Sequence, residues 1–194
     1  MEFGVDYIIR PISPTDKVNP FKTGRQDLQP LKAFLRNQAC DFQQAMIAQT
    51  YVCIELDNTQ PKDEDKDQGK VIAYLTLTCS ELDVTNGYVV EDCPYANRYD
   101  YLPAVKIARL AVDSRYQGNK LGKTLIQLAL DIAIEDIYPT VGCRFVITDA
   151  KPTAVDFYER EGFTFLDTDE NNKRENPIMF IDLFNQRVTV HEEA

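Results

Sequence analysis

Hydrophobic and polar positions follow two different periods along the chain, and segments of both kinds alternate over most of its length. Apolar runs bounded by Pro, Gly or charged residues predict strands, and apolar residues spaced three and four apart predict helices. Residues 57–70, which are charged or polar apart from one Pro and one Gly, predict a solvated connection between hairpin strands. The predicted strands are 6–12, 50–56, 71–79, 103–112, 143–150, 163–167 and 177–183. The predicted helices are one or two over 28–48, one over 121–138 and a short one over 152–161.

This order of elements predicts an α/β fold of the α+β kind, with a mixed, largely antiparallel central sheet of about seven strands flanked by helices. Hairpins combined with two helical crossovers do not suit an all-parallel sheet. With 194 residues, 44% of them hydrophobic, the chain can bury one sizeable core, so a single domain over residues 1–194 is expected. The long helix is expected to bury Leu121, Leu125, Leu128 and Ile132 and to expose Lys123, Gln127, Asp131 and Glu135.

The formal net charge is −10, and it is unevenly distributed. Residues 1–51 carry six basic and five acidic side chains, and residues 104–166 carry eight of each. Residues 52–103 carry four basic against eleven acidic side chains, and residues 167–194 three against seven. The chain therefore lacks the overall basic charge that is typical of nucleic-acid-binding proteins, although a local basic surface remains compatible with the sequence.

Cysteine and histidine usage excludes several chemistries. The five cysteines are spread without a C-x-x-C pair, and most lie in apolar runs, so neither a disulfide framework nor a metal site is expected. The one histidine, His191, lies in a polar tail, which argues against Ser-His-Asp and Cys-His catalysis. No apolar run approaches 18 residues and the first residues do not resemble a secretory leader. A cytoplasmic protein without a membrane partner is therefore expected.

The loop RYQGNKLG, residues 115–122, predicts an anion-binding site, because it joins a strand to a helix. A helix N-terminus exposes free N–H groups and favours negative charge, yet this one carries Lys120 and Lys123 next to Gly118 and Gly122. Cations at that end make sense if a bound phosphate supplies the opposite charge. The sequence is neither a Walker loop, which would need Gly in place of Gln117, nor a G-x-G-x-x-G motif.

Together with TDAKPTAVDFYEREGF, residues 148–163, the stretch ARLAVDSRYQGNKLG resembles the GNAT superfamily of acetyl-CoA-dependent N-acetyltransferases. The family loop is [Q/R]-x-x-G-x-[G/A], and the chain departs from the family at Lys120, where Gly is usual. The resemblance implies that loop amides bind the CoA pyrophosphate and that the strand before the loop binds the pantetheine arm. The implied cofactor-binding residues are Leu110, Ala111, Val112, Gln117, Gly118, Asn119, Lys120, Leu121, Gly122 and Lys123.

The same resemblance implies that Tyr158 protonates the departing CoA thiolate, a role that its pKa of ~10 suits. Helical spacing places Tyr158 on one face with Phe157 and Ala154, so a core aromatic is the alternative. No general base is evident, since the strand before the loop offers only Lys106 and Arg109. Asp113 and Glu81 are fallback candidates without positional support.

The acceptor is open at this stage. An unidentified small-molecule or protein amine is the main hypothesis, and the irregular segment 87–102, with Tyr88, Tyr95, Tyr99 and Tyr101, is a candidate wall of its site. The sequences of several motifs are similar to those of the GNAT toxins of toxin–antitoxin modules, which acetylate charged tRNA. That similarity implies RNA contacts by Lys32, Arg36 and Arg109, against which the net charge argues. A non-catalytic CoA-binding module and a homodimer are also left open.

Overall fold

The computed structural model describes residues 1–56, 69–85 and 88–185. Most of the predicted connection 57–70 therefore lies outside the described residues, and so does His191. Seven strands form one sheet with the order β1-β2-β3-β4-β5-β7-β6. The strands are β1 (Tyr7–Pro11), β2 (Gln49–Glu55), β3 (Val71–Asp83), β4 (Tyr101–Val112), β5 (Phe145–Asp149), β6 (Thr164–Phe165) and β7 (Ile178–Asp182).

The pairing of these strands confirms a mixed, largely antiparallel sheet. β1 with β2, β2 with β3, β5 with β7 and β6 with β7 are antiparallel, and β4 with β5 is parallel. The α-helices are α1 (Gln29–Asn37), α2 (Ala39–Gln44), α3 (Leu121–Asp131) and α4 (Val155–Arg160). Short 3-10 turns span Gln26–Leu28, Pro94–Arg98, Pro152–Ala154 and Asn171–Lys173.

Backbone proximity divides the chain into two compact units. Unit one comprises Met1–Thr78 and Ala108–Leu125, and unit two comprises Cys79–Ile107 and Ile126–Ala194. The core of unit one contains Phe21, Phe34 and Tyr74, and the Tyr74 hydroxyl donates to the Leu31 carbonyl of α1 at 2.7 Å. The core of unit two contains Phe145 and Phe180, whose rings meet edge to face. The organisation of residues 1–194 as a single domain stays a prediction.

Two elements differ from the sequence-based predictions in informative ways. β3 continues four residues beyond the predicted end at 79. In this extension Leu82 is buried after the exposed Glu81, as expected for a strand with one face in water. The predicted helix 121–138 is α-helical only to Asp131 and continues as a π-helix over Ile132–Ile137.

The buried face of this helix differs in part from the predicted stripe. Leu121 and Leu125 are buried as expected, but Leu128 and Ile132 are only half-buried. Ile126, Ala129 and Ala133 take the remaining core positions. The four residues that were expected to face water, Lys123, Gln127, Asp131 and Glu135, are exposed.

Candidate active site

The loop between β4 and α3, residues 113–120, has an unusual backbone. Gly118 has a φ of 84° and Lys120 a φ of 60°, so two residues lie in the left-handed region. The Lys120 carbonyl then accepts from the Thr124 amide at 3.1 Å, which begins α3. Alternation of left-handed residues with free N–H groups before a helix is typical of anion-binding concavities. A Cβ on Gly118 would meet nothing within 4 Å, so space remains beside the loop.

The left-handed φ of Lys120 gives a physical reason why Gly is usual at this position in the family that the chain resembles. A left-handed conformation costs a residue with a Cβ roughly 1–2 kcal/mol, and glycine almost nothing. The Lys120 side chain is exposed, so crowding inside the protein is not the reason for the preference. The main effect of Lys in place of Gly at position 120 is therefore backbone strain.

Lys120→Gly is expected to raise the free energy of unfolding by about 0.5 kcal/mol, because relief of strain exceeds the added entropy of the unfolded chain. Lys123→Gly is the matched control in the first turns of α3, and we expect it to lower the same quantity by about 1 kcal/mol. Urea unfolding followed by circular dichroism measures both. Equal destabilisation by the two glycines would contradict a strained Lys120.

A buried carboxylate fixes the start of the loop. The Asp113 side chain is fully buried and accepts from the amides of Lys22 and Arg115 at 2.9 and 3.0 Å. The Arg115 guanidinium adds two more hydrogen bonds, at 2.9 and 2.6 Å. Burial alone would raise the pKa of Asp113, but these donors lower it below its ordinary value. Asp113 thus has a structural role, which does not suit the fallback role of general base.

A second contact anchors the loop to β2. The Tyr116 hydroxyl donates to Glu55 Oε1 at 2.5 Å, and Lys70 Nζ lies 2.9 Å from Glu55 Oε2. The Lys70 ammonium also lies over the Tyr116 ring, 5.1 Å from its centroid. Burial and then the neighbouring Glu55 carboxylate raise the pKa of Tyr116, which keeps its hydroxyl a donor. Both ends of the turn that precedes Gly118 are therefore held.

The strand before the loop has an edge that β5 does not cover. The parallel ladder between β4 and β5 runs from Ala104–Phe145 to Ile107–Thr148. No residue of β5 (Phe145–Asp149) pairs with Ala108–Val112, which includes the predicted binding residues Leu110, Ala111 and Val112. Backbone groups on this edge can pair with an extended ligand in the manner of an added strand.

Tyr158 lies on α4 in unit two and is 7% exposed. Its ring meets Phe157 and Phe163 edge to face, with centroids 5.3 and 5.2 Å away. Phe157 is itself only half-buried. Burial raises the pKa of Tyr158 and the Thr148 side chain lowers it in part, so that the net shift is upward. Tyr158 is thus a neutral phenol at physiological pH, which is the form that can donate a proton.

The other charged residues considered for proton abstraction are engaged or exposed. Lys106 forms an ion pair with Asp149, and the Arg109 guanidinium lies 3.6 Å from the centroid of the Phe34 ring. Glu81 is exposed on β3. Nothing in this arrangement identifies a dedicated base.

A basic cleft of about 370 Å³ lies in unit one. We define the basic cleft by its three cations, Lys22, Arg25 and Lys32, which lie around Ser114 and Thr23. Ser114 donates its amide to the Lys22 carbonyl at 2.8 Å, and Arg25 also pairs with Asp27 at 3.0 Å. Of the three cations of the cleft, the sequence predicted only Lys32 as a binding residue. Lys22 and Arg25 were missed because residues 22–25 meet Ser114 across about ninety positions of the chain. The signal in the sequence that could have indicated this cleft is the slight excess of basic over acidic side chains within residues 1–51.

Arg36 and Arg109, the other predicted RNA contacts, have partners within the protein. Arg36 donates to the Asn19 carbonyl, and Arg109 stacks on Phe34. The four tyrosines of segment 87–102 are also separated. Tyr88 and Tyr99 line a cavity of about 580 Å³ in unit two, where the Tyr88 hydroxyl donates to Asp182 at 2.5 Å. Tyr95 and Tyr101 are exposed and do not belong to its lining.

Within the described ranges, no group of three or more His, Cys, Asp or Glu side chains is arranged to hold a metal ion. The five cysteines are free thiols. Of the helices in the described part of the chain, none has the length and apolar character needed to cross a bilayer.

Comparison with protein families identifies the chain. The model of the acetyltransferase (GNAT) domain matches residues 84–183, just over half of the sequence. The chain belongs to the GNAT acetyltransferase family. It is therefore an N-acetyltransferase, and a non-catalytic CoA-binding module is set aside. No curated protein matches the sequence of this acetyltransferase significantly.

Solved structures with the same fold include several toxins. A tyrosine-to-phenylalanine mutant of KacT has a TM-score of 0.77 at 19% identity and covers 95% of this chain and 99% of its own. AtaT complexed with acetyl-methionyl-tRNAfMet has a TM-score of 0.74 at 20% identity, with coverage of 95% and 99%. AtaTR bound with acetyl-CoA has a TM-score of 0.68 at 21% identity, with coverage of 95% and 98%. At these identities the likeness shows the fold alone.

Proposed function

We propose that this acetyltransferase transfers an acetyl group from acetyl-CoA to a primary amine of a small molecule or a protein. The observation that carries the proposal is the loop before α3, with left-handed residues at 118 and 120, at the end of a strand with an edge that β5 does not cover. The AtaTR structure, which contains acetyl-CoA, supports the same co-substrate.

Each of the three parts of the proposed site has its own task. The amides of residues 117–123 bind the pyrophosphate, and the exposed Lys120 and Lys123 side chains supply positive charge beside it. The backbone of Leu110–Val112 binds the pantetheine arm by strand addition. Tyr158 gives its phenolic proton to the thiolate when the carbon–sulfur bond breaks.

The experiment that tests this function measures release of free CoA thiol from acetyl-CoA, with a panel of polyamines, amino acids and lysine-containing peptides as acceptors. We expect at least one amine to accelerate thiol release above the rate with acetyl-CoA alone. Mass spectrometry of the product must show a gain of one acetyl group. Failure of every amine of the panel to accelerate thiol release would contradict the proposal.

The basic cleft favours a second candidate acceptor, the amino group of charged tRNA. Three cations around one cleft are notable in a chain of net charge −10. RNA affinity depends on neutralisation of phosphates by such side chains. One structural neighbour, AtaT, is complexed with acetyl-methionyl-tRNAfMet.

The double variant Lys22→Gln/Lys32→Gln is expected to weaken tRNA binding about tenfold near physiological salt. The slope of the logarithm of the binding constant against the logarithm of salt concentration should also fall, by the amount expected for the loss of about two phosphate contacts. Filter binding at several salt concentrations measures both quantities. Lys17→Gln, an exposed lysine of unit one outside the cleft, is the matched control and should leave tRNA affinity unchanged. If the double variant and the control bind tRNA equally well, the cleft is not an RNA contact.

A further inference from the structure

The cavity of about 580 Å³ in unit two has no task in the proposed acetyl transfer. We call it the tyrosine cavity and define it by its lining residues Val84, Tyr88, Val89, Asn97, Tyr99 and Asp100. These residues lie in the segment that joins the end of β3 to the start of β4, within unit two. The volume is in the range of small-molecule sites, so the chemistry of the lining decides which ligand suits the cavity.

One wall of the tyrosine cavity is held against the sheet. The Tyr88 ring packs edge to face on Phe145 and Phe180, with centroids 5.5 and 5.1 Å away. The Tyr88 hydroxyl donates to Asp182 on β7 at 2.5 Å. Contacts with two strands therefore fix the orientation of this ring before any ligand binds.

Hydrogen bonds within the segment hold the other walls. The Asn97 side chain accepts from the Val90 amide at 2.8 Å and donates to the Val90 carbonyl at 3.1 Å. The Val84 amide donates to the Asp100 carbonyl at 2.9 Å, which joins the two ends of the segment. The cavity is thus preformed, a feature that lowers the entropic cost of binding a ligand.

Asp100 is the one charged side chain among the lining residues that the structure describes. Its carboxylate is exposed and has neither an ion pair nor a hydrogen bond with any described residue. Asp92 and Asp182, two other carboxylates of unit two, are in contrast both paired with Arg144 at 2.7 Å. The cavity therefore offers one negative charge that no described cation neutralises.

The net charge of the chain lies in the unit that contains this cavity. Unit two carries eight basic against nineteen acidic side chains, and unit one carries thirteen against twelve. A field of this sign raises the local concentration of cations around unit two and lowers that of anions. The charge of the unit and the charge of the cavity thus favour the same class of ligand.

We propose that the tyrosine cavity binds an aliphatic ammonium ion. Asp100 supplies the opposite charge, and Val84 and Val89 supply apolar surface for the alkyl part of the ligand. Tyrosine rings attract ammonium groups over their faces, and the Tyr99 side chain is 59% exposed at this cavity. The binding does not require acetyl transfer, so it stands or falls independently of the proposed function.

Titration of the full chain with n-butylammonium, followed by the amide signals of Tyr99 and Asp100 in proton–nitrogen NMR spectra, tests the site. We expect saturable shifts with a dissociation constant of about 1 mM, typical of a small ligand with few contacts. Asp100→Asn should weaken binding about fivefold, the upper end for one exposed ion pair. Asp136→Asn, an exposed carboxylate of the same unit outside the cavity, is the matched control and should leave the affinity unchanged.

A second pair of variants tests the ring contact. Tyr99→Phe keeps the ring face and removes the hydroxyl, whereas Tyr99→Leu removes the ring. We expect Tyr99→Leu to weaken binding of n-butylammonium about threefold and Tyr99→Phe to leave it unchanged, because the attraction comes from the ring.

Several results would overturn the proposal. 1-Butanol has the shape of n-butylammonium without its charge, so equal affinity for the two would make the cavity an apolar site. Equal weakening by Asp100→Asn and Asp136→Asn would mean that cations are attracted to unit two as a whole. Full wild-type affinity in Asp100→Asn or in Tyr99→Leu would mean that the ammonium group does not bind where we propose.

Discussion

Tyr158→Phe is expected to lower kcat for acetyl transfer about 10³-fold, within the range of general acid catalysis, with little change in the KM for acetyl-CoA. The substitution removes the only group of this side chain that can donate a proton. The ring contacts with Phe157 and Phe163 stay, so the fold is expected to be intact. Initial rates of thiol release over a range of acetyl-CoA concentrations give both constants.

A matched control exists for this substitution. Tyr95 is 76% exposed on the 3-10 turn Pro94–Arg98, and Tyr95→Phe removes the same atom from the surface. Its kcat should equal that of the wild type. A Tyr158→Phe enzyme with more than about a third of wild-type kcat would mean that another group protonates the thiolate, since a general acid contributes at least about 10²-fold.

Asp113→Ala is expected to lower the free energy of unfolding by about 3 kcal/mol, the low end of the range for breaking a buried ion pair. The low end applies because the Arg115 side chain is 40% exposed and can regain water. The amides of Lys22 and Arg115 lose their acceptor, which is the main cost. Because these contacts also fix the loop, the KM for acetyl-CoA should rise in the same variant.

The effect of Asp113→Ala should depend on pH in a defined direction. The pKa of Asp113 is lowered in the folded protein, so its contribution is fully present above the unfolded value of ~3.9. The difference between wild type and variant should shrink as pH falls below that value. Urea unfolding at pH 7 and pH 3 measures it. Asp41→Ala, an exposed carboxylate of the same unit, is the control and should cost less than about 0.5 kcal/mol.

Local features of this acetyltransferase could be predicted from its sequence, because they depend on neighbouring residues. Periodicity located the seven strands of the described residues, and the spacing of Gly118 and Gly122 before an amphipathic helix indicated the loop. The left-handed φ of Lys120 could not be predicted in this way, since a lysine gives no sign that it occupies a conformation suited to glycine.

Features that depend on distant residues were the ones that the sequence did not predict. Tyr116 bonds to Glu55, 61 positions away, and Lys22 bonds to Asp113, 91 positions away. Neither pair has a spacing or motif that marks it.

We propose that the loop of residues 117–123 binds acetyl-CoA, and calorimetric titration of the purified protein with acetyl-CoA tests this binding most directly. We predict one binding event per chain with a dissociation constant in the micromolar range. The heat of binding should be absent when pantetheine replaces acetyl-CoA, because pantetheine lacks the pyrophosphate. Absence of measurable binding at high micromolar acetyl-CoA would contradict the account.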